Sequence, residues 1–172
     1  MRKLLLYCIS FCVPIVAYAG EGGIEPNNHP YANVRIAYPS DECSFQFSSV
    51  DFCDEKHLTE IKRAIAERRP DFGGKYILLS IPEGSPSFFQ RSLVAIDTTT
   101  GIVYPVPIDA YSGATDGNGY AKSVGKLKYN IHSNQVCITG AIFMHRMVED
   151  GNFCFALKED RFVGHHTPYM DP

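Results

Sequence analysis

The sequence predicts a mainly β protein with minor α+β character: antiparallel strands, one amphipathic helix and two disulfide bonds. Short runs of β-branched and aromatic residues recur between clusters of Gly, Pro, Asn and Asp, which is typical of strands joined by turns. Only one segment has helical periodicity. Consecutive antiparallel strands form a meander, which we expect to close as a sandwich, a barrel or a propeller-like sheet.

The first residues have the features of a cleaved export signal, residues 1–19. Arg2 and Lys3 precede an apolar run, and Ala17-Tyr18-Ala19 gives the small-x-small pattern of a cleavage site before Gly20. The apolar run is too short for stable membrane insertion. We therefore expect a periplasmic or secreted mature protein.

The charge of the mature chain argues against a nucleic-acid partner. The whole sequence has 16 basic and 19 acidic residues, so loss of Arg2 and Lys3 leaves 14 against 19, a formal charge of −5. Nucleic-acid binding would require a basic stripe, and the lysines here are scattered. A protein is the expected partner.

Four cysteines remain once Cys8 and Cys12 leave with the signal. An even number in an exported chain predicts two disulfides, for which three pairings are possible. Nearest-neighbour pairing fits best because each bridge would close a short local element, contributing about 3 kcal/mol in the chain-entropy account. A zinc site is the alternative, but no Cys-x-x-Cys spacing supports it. The predicted bridges are Cys43–Cys53 and Cys137–Cys154.

Three segments follow the signal: an extended arm at 20–40, a single β-rich domain at 41–164 and a polar tail at 165–172. Within the arm, residues 34–38 are expected to form an edge strand. The one helix begins after Asp54, a good N-cap, and ends before Pro70. We expect Leu58, Ile61 and Ile65 to form its buried face, with His57 on the surface.

The remaining elements are strands and turns. The Asp97–Gly101 segment is expected to turn a hairpin, with Gly101 at positive φ. Further turns are expected at 133–134, 149–152 and 159–160. The expected strands are 76–81, 93–96, 102–104, 127–131, 135–144, 153–157 and 162–163.

Two long loops, 80–91 and 109–123, are candidate binding sites. Long loops on a rigid β frame often carry recognition, and aromatic residues among Ser, Gly and Asn are typical of binding surfaces. The alternative is that the loops only connect strands and that their phenylalanines pack on the core. The candidate binding residues are Phe88, Phe89, Tyr111, Ser112, Asp116, Asn118 and Tyr120.

No catalytic residue, metal ligand or cofactor site is predicted. The sequence contains neither Gly-x-Ser-x-Gly nor His-Glu-x-x-His. Asp116-Gly117-Asn118-Gly119 lacks the later acidic ligands of a calcium loop. A hydrolase site formed by His132 or His145 with a carboxylate stays an open alternative.

Phe72-Gly73-Gly74-Lys75-Tyr76, followed by Ile96-Asp97-Thr98-Thr99-Thr100-Gly101-Ile102-Val103-Tyr104, resembles a largely uncharacterised family of small exported proteobacterial β-proteins. The resemblance covers roughly residues 72–163. It implies a β-hairpin frame and supplies no catalytic residues. Those relatives often carry cysteines between the first two strands; here 80–91 has none, so their disulfide plan does not transfer.

These observations favour a periplasmic binding or inhibitor protein, not an enzyme. The hypothesis is an immunity protein against a secreted cell-wall-degrading toxin, or a lysozyme-type inhibitor, with a likeness to immunity proteins in architecture only. The alternatives are an envelope hydrolase with a His/carboxylate site and a structural assembly factor of the envelope.

Overall fold

A computed structural model describes residues 33–85, 88–116 and 118–171; the predicted signal, residues 1–19, lies outside them. The fold is mainly β, with antiparallel sheets and one helix, α1 (Glu55–Glu67), as the sequence predicts. The strands are β1 (Ser40–Asp41), β2 (Ser44–Phe45), β3 (Tyr76–Pro82), β4 (Arg91–Asp97), β5 (Val103–Pro105), β6 (Ala110–Ser112), β7 (Lys126–Asn130), β8 (Ser133–Met144), β9 (Met147–Lys158) and β10 (Arg161–Gly164).

The strands form one sheet of eight and a separate β1–β2 pair. The main sheet has the order β10-β9-β8-β6-β4-β3, while β5 pairs with β4 and β7 pairs with β8. Strand β6 joins the two halves, because Tyr111 pairs with Arg91 of β4 on one side and with Ile142 of β8 on the other. Strands β3 and β10 stand at the two ends, and no described strand pairs across them, so the sheet does not close into a barrel.

Helix α1 forms where the sequence predicts it. The Asp54 side chain caps its first turn, accepting a hydrogen bond from the His57 N–H at 2.7 Å. The buried face is formed by His57, Ile61 and Ala64, whereas Ile65 is 45% exposed. The surface position predicted for His57 is therefore wrong: two carboxylates bind both ring nitrogens, which allows the polar ring to be buried.

The core surrounds strand β4, which is buried on both faces. Leu93, Val94, Ala95 and Ile96 are all inaccessible to solvent. Such a strand loses the usual alternation of apolar and polar residues, because neighbouring elements cover both of its sides.

The C-terminal segment is packed into this core, although its composition predicts a polar tail. The ring of Tyr169, in a 3₁₀ turn at Pro168–Met170, stacks on Phe45 with 5.0 Å between centroids. Thr167 is also buried. Residues 165–171 therefore help to hold the β1–β2 segment against the sheet.

Both predicted disulfides are confirmed. Cys43–Cys53 closes a ten-residue separation just before α1. Cys137 and Cys154 lie directly opposite each other on β8 and β9. Each bridge therefore braces a local element, as nearest-neighbour pairing implies.

The predicted turn at 149–152 is wrong, because β9 runs unbroken through it. The hairpin turns instead at His145 and Arg146, and the preceding turn lies at 131–132 instead of 133–134. Polar residues in an exposed strand have the same composition as a turn, so local sequence could not separate them. The strand expected at 34–38 is reduced to one bridge, from Val34 to Val103.

Candidate functional site

Two separate segments expose apolar side chains. Strands β4 and β8 both pair antiparallel with β6, through Arg91–Tyr111 and Tyr111–Ile142, so they run parallel to each other. The loop before β4, which exposes Phe88 (44%) and Phe89 (36%), therefore leaves the sheet in the direction opposite to the turn after β8. Phe47 lies at that turn, with its ring 5.9 Å from the His145 ring. We call the surface at the β8–β9 turn the apolar end: Phe47 (69% exposed), Met147 (47%) and Val148 (47%).

Three residues of these two segments have left-handed backbone conformations. Phe47 has φ +69°, Phe89 has φ +55° and His145 has φ +53°. This region costs roughly 1–2 kcal/mol for a residue with a side chain, and bulky residues rarely adopt it. Burial does not offset the cost, since Phe47 and Phe89 are exposed. Such strain is typically found at functional sites.

A buried carboxylate, Asp109, holds together the segments that form the apolar end. Its Oδ1 accepts hydrogen bonds from the hydroxyl of Tyr169, at 2.7 Å, and from that of Ser48. Its Oδ2 accepts the His145 N–H at 2.7 Å, and the His145 ring Nδ1 lies 3.0 Å from the Phe47 carbonyl oxygen. One side chain thus joins the segment after β2, the β8–β9 turn and the C-terminal segment.

The environment of this cluster favours the neutral phenol. Burial and the hydrogen bond to Asp109 raise the pKa of Tyr169 well above its usual range. The hydroxyl therefore keeps its proton and remains a donor to the carboxylate at any physiological pH.

A second cluster surrounds the buried His57, where the chain leaves β3 toward Phe88 and Phe89. The His57 ring lies between two carboxylates, with Nδ1 2.8 Å from Asp54 Oδ1 and Nε2 2.7 Å from Glu83 Oε1. Glu83 is the first residue after β3, and its N–H donates to the Gln90 carbonyl at 2.8 Å, which closes the neck of the loop.

The charges of this second cluster stabilise each other. Burial by itself would lower the pKa of His57, but the hydrogen bonds to Glu83 and Asp54 outweigh it and raise that pKa. Burial would raise the pKa of Glu83, yet its hydrogen bonds to His57 and Lys56 lower it. The pKa of Asp54 is also lowered, by hydrogen bonds from His57 that overcome burial. The three groups therefore favour the charged form of the imidazole and of both carboxylates.

The residues predicted from the loops fall into three groups. Phe88 and Phe89 are exposed in the loop before β4, outside the apolar end. Tyr111 and Ser112 are buried in β6, at 2% and 0% exposure, and the Tyr111 hydroxyl lies 2.6 Å from Ser80 Oγ. Because β6 joins β4 to β8, its side chains belong to the interior, and we exclude Tyr111 and Ser112 from the candidate surface.

The third group, Asp116, Asn118 and Tyr120, forms a small exposed turn. Asp116 Oδ1 accepts the N–H groups of Asn118 (2.9 Å) and Tyr120 (3.1 Å), and these hydrogen bonds lower the Asp116 pKa. Thr115 donates to both carboxylate oxygens of Asp150, which holds the turn against β9. A binding role for this turn stays a prediction.

Sequence reasoning missed Phe47, Met147 and Val148. Their exposure depends on the β8–β9 turn and on the Asp109 hydrogen bonds, which join residues far apart in the sequence. No local pattern distinguishes these three from core residues, since Phe, Met and Val are usually buried.

The Phe-Gly-Gly-Lys-Tyr motif has a structural role at the opposite end of the sheet. Gly73 and Gly74 have φ of +53° and +81°, and their N–H groups donate to the carbonyls of Ser133 (3.1 Å) and Ile131 (2.6 Å). The glycines let the chain dock on the β7–β8 turn.

The hydrolase hypothesis requires His132 or His145 beside a carboxylate. The His145 backbone N–H, not its ring, binds Asp109, and the ring Nδ1 lies 3.0 Å from the Phe47 carbonyl oxygen. His132 lies in the turn before β8, and a hydrolase site there stays a prediction. In the described chain, one group of side chains has metal-like spacing, Cys43, Asp51 and Cys53, and its two sulfurs are joined in a disulfide.

Comparison with protein-family models, with curated proteins and with solved structures finds no match to this chain. Within the described ranges, α1 is too short and too polar to span a bilayer. The geometry of the apolar end is therefore the basis for an inference about function.

Proposed function

We propose that this protein is an exported inhibitor that binds a peptidoglycan-degrading enzyme, as an immunity protein against a secreted toxin or as a lysozyme-type inhibitor. The observation that carries the proposal is the apolar end, where Phe47 is exposed on left-handed backbone at the same turn as the exposed Met147 and Val148. The folded chain alone gains little from these features. They become favourable when a partner buries these side chains.

The energetics of interfaces suit such an arrangement. A few aromatic anchors usually carry most of the binding energy, each costing 2 kcal/mol or more when truncated, by the order of magnitude of known hot spots. An anchor already held by the Asp109 cluster, as Phe47 is, loses little conformational freedom on binding. The formal charge of −5 expected for the mature chain favours association with a basic enzyme.

The proposed location rests on two features. An export signal is predicted at residues 1–19, and both disulfides are formed in the fold. Disulfides persist in the periplasm and outside the cell, where a toxin or lysozyme would be met.

The test measures peptidoglycan hydrolysis in the presence of the oxidised mature protein. A muramidase and an N-acetylmuramoyl amidase are each assayed by the loss of turbidity of a peptidoglycan suspension. We expect one enzyme class to be inhibited at a near-stoichiometric ratio. Phe47→Ala should weaken inhibition about tenfold or more, by the usual size of an anchor residue.

The matched control is Ile65→Ala. Ile65 is exposed to a similar degree, 45%, but lies on helix α1 outside the apolar end. If it weakens inhibition as much as Phe47→Ala, the apolar end is not the binding surface. As a second assay, immobilised wild-type and Phe47→Ala proteins are each exposed to a periplasmic extract, and a binding partner should be retained by the wild type alone. The proposed function is rejected if neither enzyme class is inhibited and the wild type retains no such peptidoglycan hydrolase.

A further inference from the structure

Strand β9 has an open outer edge. β9 spans twelve residues, but β10 pairs with only the last four, Phe155 to Lys158. One more hydrogen bond, from the His165 N–H to the Cys154 carbonyl at 2.9 Å, follows, and the His165 ring then turns onto Phe153, 4.7 Å between centroids. Within 33–85, 88–116 and 118–171, no backbone group pairs with this edge from Met147 to Phe153.

The register of the hairpin identifies the backbone groups that point outward. Cys137 and Cys154 are opposite each other with 4.1 Å between Cα atoms, the short spacing of a pair without mutual hydrogen bonds. Cys154 therefore directs its own N–H and C=O away from β8, as its bond with His165 shows. Because the direction alternates along a strand, Val148, Asp150 and Asn152 also direct theirs outward.

The charge of this edge disfavours pairing with a second copy. Antiparallel two-fold pairing about the middle of the edge would place the two Asp150 side chains directly opposite each other. Each Asp150 carboxylate accepts two hydrogen bonds from Thr115, an uncharged residue that leaves the negative charge in place, whereas Glu149 is paired with His165 Nε2 at 3.2 Å. Like charges in opposite positions destabilise a strand pair, and opposite charges stabilise it. The Asp150 carboxylate therefore suits an added strand that carries Lys or Arg opposite it.

We propose that the β9 edge binds an extended segment of the partner protein as an added strand, with a basic residue opposite Asp150 and an apolar residue beside Val148. This inference rests on the proposed function, because Met147 and Val148 belong both to this edge and to the apolar end. A partner that covers the apolar end is then in position to extend the sheet. In such complexes main-chain hydrogen bonds supply affinity and alternate side chains supply specificity.

The test uses a synthetic decapeptide of alternating Val and Lys as the probe, with alternating Val and Glu as its matched control. Amide exchange of the oxidised mature protein is followed by NMR at millimolar peptide. The Val-Lys peptide should slow exchange of the Asp150 and Asn152 amides about tenfold, equivalent to about 1.4 kcal/mol of protection, and the Val-Glu peptide should not. Asp150→Lys should reverse this preference.

A proline substitution isolates the backbone contribution. Asn152→Pro removes one outward N–H and leaves the β8 ladder intact, whereas Asn152→Ala keeps that N–H. We expect Asn152→Ala to bind the Val-Lys peptide and Asn152→Pro to lose it. Unchanged exchange of the Asp150 amide with that peptide, or equal binding by both variants, would overturn the proposal.

Two further outcomes would also overturn it. If the Asp150 and Asn152 amides are already protected in the free protein and lose protection when residues 20–32 are deleted, the edge is filled by the chain itself. If their protection rises with protein concentration, a second copy fills it. If a hydrolase is inhibited but the Asp150 and Asn152 amides stay unprotected in its complex, strand addition is rejected and the inhibitor function stands. If the peptide protects these amides but no hydrolase is inhibited, only the inhibitor function is rejected.

Discussion

Replacement of Phe47 by glycine should stabilise the fold while it removes a binding residue. At φ +69° the Phe47 side chain places its Cβ in the unfavourable left-handed region, at a cost of roughly 1–2 kcal/mol that glycine does not bear. The ring is 69% exposed, and its aromatic contact is with the His145 ring, 5.9 Å between centroids. Little burial is lost in return.

Phe47→Ala is the matched control, because alanine removes the ring but retains the Cβ. In urea unfolding we expect the Gly variant to be about 1 kcal/mol more stable than the Ala variant. The sign is diagnostic, since at an ordinary negative φ glycine is the less stable of the two by roughly 0.5–1 kcal/mol. An Ala variant as stable as the Gly variant, or more so, would refute the strain at this position.

The same pair separates strain from recognition. Both variants lack the ring, so both should lose inhibition of the hydrolase to the same extent, although their stabilities differ. A Gly variant that still inhibits fully would remove Phe47 from the proposed interface. Greater stability together with weaker binding would show that the left-handed conformation is retained because of the ring that it presents.

Three other predictions concern the interior of the fold. Tyr169→Phe removes a buried donor to the Asp109 carboxylate and should lower the free energy of unfolding by about 1.5–3 kcal/mol in urea; a loss below about 0.5 kcal/mol would contradict the role of that cluster. Because the folded-state pKa of His57 is raised above its unfolded value of 6.5, its contribution to stability is complete below that pH and is lost as the pH rises through the folded pKa. The free energy of unfolding should therefore fall as the pH rises above about 6.5, and a His57→Gln variant with an equally steep fall would disprove this. Gly140→Ala should lower the free energy of unfolding by about 2–3 kcal/mol, because the added Cβ would lie 2.0 Å from the Ser112 carbonyl oxygen on a backbone with φ +143°. The loss should appear as a lower melting temperature, and an unchanged melting temperature would refute the close approach.

The sequence predicts those parts of the fold that depend on neighbouring residues. Asp54 is placed as the helix N-cap because its preference is local, and Gly101 has the positive φ expected for its hairpin. The two disulfides follow from an even number of cysteines in a chain with an export signal and from nearest-neighbour spacing. Each of these features depends on residues that lie close together in the sequence.

The features that sequence could not predict depend on long-range contacts. Tyr111 has the composition of a loop around it, yet it is buried because β4 and β8 pair on both of its sides. His57 is buried because Glu83, 26 residues away, binds its ring. The exposed Phe88 and Phe89 were predicted from loop composition, whereas Phe47, at the candidate site, depends on hydrogen bonds at His145, 98 residues distant.

The Asp109 cluster explains how the exposed Phe47 can keep an unfavourable backbone. Apolar contacts have no preferred direction, so they would let a strained loop relax to a more common φ. Hydrogen bonds to a buried carboxylate are directional, and leaving such a group unpaired costs several kcal/mol, more than the roughly 1–2 kcal/mol of strain at one residue. Asp109 imposes this constraint on the His145 N–H and on the Ser48 hydroxyl, next to Phe47. The strained residues Phe47 and His145 therefore have a buried acid beside them whose hydrogen bonds would have to break before the strain could be released.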